Sequence, residues 1–177
     1  MGLDILSLLC ESDLRTVNNV DRVVENVLKN HEAIEILITG MESKDEGLAM
    51  RAADALQKVF IRQPELVQPH TSQLVALLLT HSQKEVRWHL AQILPHLNLT
   101  KDQVKQVAQI WQDDFYNSTS SIVKTFSLQA MHDIAVHHPE LQPVFDEMIA
   151  YALQNGTAAM RARAKRLLAN PPDSVVI

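Results

Sequence analysis

One cysteine, Cys10, stands in a chain of 177 residues, so no internal disulfide can form. A reducing compartment is the expectation, and with it a cytoplasmic location. Cys10 closes an apolar stretch and reads as an inert core thiol. Glycine is scarce at four residues and aromatics make up 5%, which argues against a loop-rich or β fold. No apolar run approaches the roughly 20 residues of a membrane span. The apolar run Ile5-Leu6-Ser7-Leu8-Leu9 lacks a basic flank and follows Asp4, so it makes a poor signal peptide. It reads instead as a short amphipathic helix capping the N-terminal end of the core. Positive charge is in deficit, with 16 Lys and Arg against 21 Asp and Glu. A protein that tracks a phosphate backbone needs a basic face, so the net charge of −5 counts against general nucleic-acid binding. Motifs for nucleophilic or phosphate chemistry are missing: there is no G-x-S-x-G, no Gly-rich phosphate loop and no Walker-type lysine. No catalytic residue and no cofactor is assigned. The eight histidines include the close set His132, His137 and His138, and the pair His89 and His96 seven apart. None has a cysteine partner or HExxH-like spacing, so no metal ligand is assigned. His137-His138 precede Pro139, which suits a helix end.

What the chain does have is an internal period. Segments starting at Leu48, Val86, Val123 and Met160 follow one another at 38, 37 and 37 residues. In each, small or apolar residues stand at the start and four, seven and eight residues later, the spacing of a core-facing helix stripe. Pro64-Glu65-Leu66 returns as Pro139-Glu140-Leu141 after 75 residues, the same offset that separates Leu48 from Val123. A degenerate earlier copy precedes these, with Leu14, Val17, Val20, Val23 and Val24 as its stripe.

Each repeat holds two helices. The first members are expected over about 31–42, 69–81, 101–115 and 143–155, and the second over about 46–62, 83–97, 120–137 and 158–169. Ser43-Lys44-Asp45-Glu46, Ser82-Gln83-Lys84-Glu85 and Thr100-Lys101-Asp102-Gln103 read as capping boxes. Pro69 and Pro143 suit first-turn positions, Gly156 suits a helix end, and Asn170-Pro171-Pro172 stops the last helix. A single helix pair cannot bury its apolar side, so the pairs are expected to stack into one array over 1–177. Its parts are a degenerate N-terminal cap (1–30), repeats over about 31–63, 64–98, 99–138 and 139–170, and a short tail (171–177).

The second-helix segments resemble HEAT repeats, most clearly at Val86-Arg87 and Met160-Arg161, over about residues 31–169. The chain is similar to the small stand-alone HEAT-repeat proteins of bacteria. The resemblance implies an all-α fold, a right-handed α-solenoid of four to five antiparallel helix pairs. Its second helices would line a concave face that binds a protein or peptide and carries no catalytic residue. The period of 37–38 is shorter than the usual 40–47. Asp45 has its counterparts in Gln83, Ser120 and Thr157, and Ala49 and Lys124 replace the Arg in two copies. An inter-repeat Asp–Arg ladder is therefore incomplete. HEAT-like folds also include DNA glycosylases and bilin lyases, which makes an enzyme with a cleft between second helices the alternative.

On a helical wheel, the positions two, three and six after each start point away from the core stripe. The binding candidates come from these columns: Arg51, Asp54, Trp88, His89, Gln92, Phe126, Gln129, Arg163 and Arg166. Trp88 is the largest of them. It reads either as a binding anchor or as a ring covering a neighbouring second helix. Trp111 continues the stripe of Val104, Val107, Ala108 and Phe115 and reads as core. The last helix carries Arg161, Arg163, Lys165 and Arg166 with no acidic residue between them. That run reads either as an anion or acidic-peptide site or as a solvated terminal helix.

Overall fold

The computed structural model describes residues 5–10 and 17–169, with side chains over 5–10 and 19–169. Among the described residues every regular element is helical. None of the helices is long and apolar enough to cross a membrane. The chain divides into two units, Met1–Ile93 and Leu94–Ile177.

In the first unit α1 (Ile5–Cys10) and α2 (Val17–Lys29) precede α3 (Ile34–Met41), α4 (Glu46–Arg62) and the single turn α5 (Pro64–Val67). Then come α6 (Thr71–Thr80) and α7 (Lys84–Ile93). Helix α4 is the hub, packed against α1, α2, α3 and α7. Its sequence permits this: Ala49, Ala52, Ala53 and Ala55 are all buried, so neighbouring helices approach closely on several sides. Gly40 on α3 marks a close approach to α4. A Cβ there would lie 3.0 Å from Ala52 Cβ and 3.3 Å from Leu6 Cδ2. Leu37, Ile38 and Met41 of α3, Leu56 and Val59 of α4, and Val86 and Leu90 of α7 complete the apolar interior. Val20, Val23 and Val24 of the expected early copy are buried as well; Leu14 lies outside the described residues. Cys10, expected in the core, is exposed, because α1 turns only Ile5 and Leu9 inward.

In the second unit α8 (Lys101–Asn117), α9 (Ser121–Ala135), α10 (Gln142–Asn155) and α11 (Ala158–Ala169) follow a 3-10 turn, Leu94–His96. Here α9 is the hub, packed against α8, α10 and α11. Trp111 and Phe115 are fully buried, as the apolar stripe of α8 requires. Leu128 and Met131 of α9, Met148 of α10 and Ala164 of α11 are buried as well.

The expected spans are close, and their errors have local causes. The helix expected over 83–97 ends at Ile93 and continues as a 3-10 turn. Pro95 lacks the N–H that an α-helix would need there. Both copies of the Pro-Glu-Leu marker are short helical turns, α5 and the 3-10 turn Pro139–Leu141, leading into the next first helix. Asn170-Pro171-Pro172 falls outside the described residues.

Two of the three expected capping boxes are replaced by a recurring corner. Thr100 and Gln103 do form the reciprocal box. At α4, however, the N-cap is Asp45, which accepts from Leu48 N, while Ser43 Oγ accepts from Asp45 N. Likewise Ser120 accepts from Val123 N, and Ser118 Oγ from Ser120 N. Thr157 accepts from Met160 N. Gln83, too long for a cap, has its backbone N bonded to His81 Nδ1 and its side chain to Glu46 O. The three capping residues, Asp45, Ser120 and Thr157, each sit three residues before the start of a repeat segment.

In three of the four segments the residue after the start completes the corner. Arg87 donates to His81 O at 2.9 Å, Lys124 to Tyr116 O at 2.8 Å, and Arg161 to Gly156 O. Each cation thus sits on carbonyls at the C-terminal end of the preceding helix, where unpaired acceptors and the helix dipole favour positive charge. Gly156 adopts φ −71°, not the left-handed conformation common at helix ends. It is needed for room, since a Cβ would lie 2.3 Å from Ala152 O.

Leu56 and Leu94 are both fully buried. Truncating either to Ala is expected to cost about 2–5 kcal/mol. Arg87→Met, which keeps the aliphatic stem and removes the charge-assisted bond, is expected to cost about 1–3 kcal/mol. Urea denaturation of the three variants measures both effects; midpoints equal to that of the parent would refute the assigned contacts.

Candidate functional site

Within each unit, second helices lie directly against one another: α4 against α2 and α7, and α9 against α11. Side chains about one repeat apart join across these contacts. Asp21 and Lys58, Glu25 and Arg62, and Gln83 with the Glu46 carbonyl are each 37 residues apart. Gln57 and Gln92 are 35 apart, Ser121 and Thr157 36, and Gln129 and Arg163 34. Each of these polar rungs has at least one partner on, or next to the start of, a helix that carries candidate binding residues.

In the first unit Arg51 is already engaged. Its Nε donates to Leu9 O, tying α4 to the end of α1. Asp54 pairs with Lys58 at 3.2 Å, and Lys58 pairs with Asp21 at 3.2 Å. Burial works against the Lys58 ammonium, but Asp54 and Asp21 outweigh it and hold its pKa above the usual lysine value. The ring of Trp88 is half-buried and stacked on His89, with centroids 3.7 Å apart. It is therefore neither a bare anchor nor a core residue.

His89 corrects the helical-wheel placement: it is 3% exposed. Its Nδ1 lies 2.6 Å from Gln57 Oε1, while Gln57 Nε2 donates to Gln92 Oε1 at 2.7 Å. Gln92 Nε2 in turn donates to Trp88 O. Since Gln57 Oε1 can only accept, the network assigns the imidazole proton to Nδ1. Burial lowers the His89 pKa to about 4, against the opposing pull of Asp54 and Glu85; Lys58 adds to the lowering. A glutamine–histidine–glutamine cluster thus holds a neutral imidazole between α4 and α7.

In the second unit Arg163 lies with its guanidinium carbon 5.2 Å from the centroid of the half-buried Phe126 ring. It donates to Gln129 Oε1 at 2.7 Å. Gln129 Nε2 donates to Asp133 Oδ1, which also receives His132 Nδ1 at 2.8 Å. His96 Nε2 lies 3.6 Å from Asp133 Oδ2. Burial first, then Arg166, push the Arg163 pKa down, with Asp133 pulling the other way. Arg166 itself is exposed on α11. The structure therefore brings Phe126, Gln129 and Arg163 into one cluster.

Gln57, Lys58 and Asp133 escaped the column reading. The signal existed: Lys58, His96 and Asp133 all stand ten residues after their segment starts, one turn beyond the columns read. A hollow of about 410 Å³ in the second unit is lined by Pro95, His96, Asn98, Ile134, His137 and His138, among others. Among the described residues no group of three His, Cys, Asp or Glu could hold a metal ion.

The buried imidazole makes stability depend on pH with a definite sign. The folded pKa of about 4 lies below the ordinary 6.5, so between these values the unfolded chain binds more protons. The contribution is complete above pH 6.5 and is lost as pH falls towards 4, at no more than about 1.4 kcal/mol per pH unit. Denaturant midpoints across this range should fall more steeply for the parent than for His89→Gln. Parallel curves would show that His89 titrates normally.

No family model, curated protein or solved structure matches this chain.

Proposed function

We propose that this chain is a non-enzymatic scaffold that binds a protein or peptide on its second helices, arranged as in a right-handed HEAT-like α-solenoid. The observation that carries the reading is the set of rungs between consecutive second helices. Asp21–Lys58–Asp54, Gln57–Gln92 and Phe126–Arg163–Gln129 hold polar and aromatic groups in fixed rotamers at a partly exposed surface. Side chains ordered before binding lose less conformational entropy when a partner arrives. The recurrence of partners at intervals of 34 to 37 residues supports stacking of equivalent helices, as a solenoid requires. The cytoplasmic location suggested by the cysteine content is part of the same reading.

Against the glycosylase or lyase alternative stands the mixed charge of these rungs. Asp21, Asp54 and Asp133 alternate with Lys58, Arg62 and Arg163. A groove built to hold a polyanion would favour one sign.

The test is site-specific photocrosslinking in the source cell. A photoreactive residue replaces Met50 or Ala162 on second helices, or Gln109 or Glu147 on first helices. Discrete adducts from the second-helix positions and none from the others are expected. Adducts confined to the first-helix positions would overturn the assignment of the binding face.

A further inference from the structure

We propose that the solvent-facing side of α11, with Arg163 as its anchor and Arg166 beside it, docks an acidic peptide segment. The inference rests on the scaffold reading above and names the chemistry of the partner. Helix α11 carries Arg161, Arg163, Lys165 and Arg166 and no acidic residue, in a chain whose net charge is −5. The basic charge is therefore concentrated locally. Arg161, Lys165 and Arg166 are all exposed, and Arg161 also reaches Gly156 O at the corner.

Arg163 differs from a solvated surface cation. Its guanidinium lies over the Phe126 ring and is oriented by one hydrogen bond, to Gln129, although the group has five N–H donors. Gln129 is itself fixed by Asp133. A planar fork held this way presents donors in the geometry that a carboxylate accepts in a bidentate pair. Its partial burial and the nearby Arg166 both disfavour its charge. An incoming carboxylate would relieve both costs.

A peptide fits better than a nucleic acid or an anionic membrane. The latter two present long arrays of negative charge, which a chain of net charge −5 repels beyond the local patch. A short acidic segment meets only the patch.

The test uses the full chain and fluorescence anisotropy at low and physiological salt. The probe is a labelled peptide of Glu and Asp, and the reference is its Gln and Asn counterpart. The acidic peptide should bind and the neutral one should not. Arg163→Glu and Arg166→Glu should each weaken binding about tenfold or more. The charge-matched changes Lys101→Glu and Lys105→Glu, at exposed positions on α8, should alter it far less. Thermal melts accompany each variant. Arg166→Glu changes an exposed residue and keeps the test decisive if Arg163→Glu fails to fold. The proposal is overturned by absence of binding, or by equal weakening in the α8 variants. It is also overturned if an oligothymidylate or phosphatidylserine vesicles bind as tightly as the peptide. If crosslinks form at Met50 and Ala162 while the acidic peptide fails to bind, the scaffold reading stands and the acidic partner falls.

Discussion

A cation placed on the carbonyl end of the preceding helix is the contact on which the helix pairs depend. Arg87, Lys124 and Arg161 each follow the first apolar residue of a repeat segment and each reach back across the corner. A helix that ends without partners leaves its last carbonyls unsatisfied, and a buried corner magnifies that cost. One side chain from the next helix meets the need and also sets the distance between the two helices. The cap three residues earlier, Asp45, Ser120 or Thr157, satisfies an opposite set of groups, the free N–H donors at the start of the second helix. Donor and acceptor ends therefore meet within a few residues of one another.

With its corners fixed, each second helix presents two faces with different duties. One face joins the apolar interior around the hubs α4 and α9. The other carries the rungs, whose partners recur at about the repeat spacing. The Lys58 ion pairs are half-exposed, so their direct contribution to stability is small. Their effect is on geometry, since each restricts the rotamers of groups at the surface. His89 shows what happens when such a rung is buried. Burial keeps it neutral, and a residue that could have been a surface ligand becomes part of the packing.

The first repeat departs from the pattern in a way that physical chemistry explains. Ala49 stands where the other copies have Arg or Lys and is fully buried. The small residue lets α4 accept several helices at once. Arg51, two positions later, reaches a carbonyl of α1 instead. A cation still meets a carbonyl at a helix end, but from a different face of α4 and with a different partner helix.

Helix spans, the repeat period and most core positions were legible in the sequence because they depend on local rules; Cys10 and Leu168, both read as core, are exposed. The 3.6-residue periodicity of Val86, Leu90 and Leu94 and the Thr100–Gln103 box each involve residues within about two turns of one another. The roles of the candidate binding residues were not legible. A helical wheel gives the direction of a side chain from its own axis but not the depth of the neighbouring helix. Hence His89 was placed outward, although α4 covers it with Gln57 from 32 residues away. Arg51 to Leu9 spans 42 residues and Arg163 to Gln129 spans 34. By itself, then, the sequence determined which segments are helical and which stripe each buries, through chemistry acting within a few residues. Only the tertiary structure decided which polar groups meet, because that depends on how closely two helices cross.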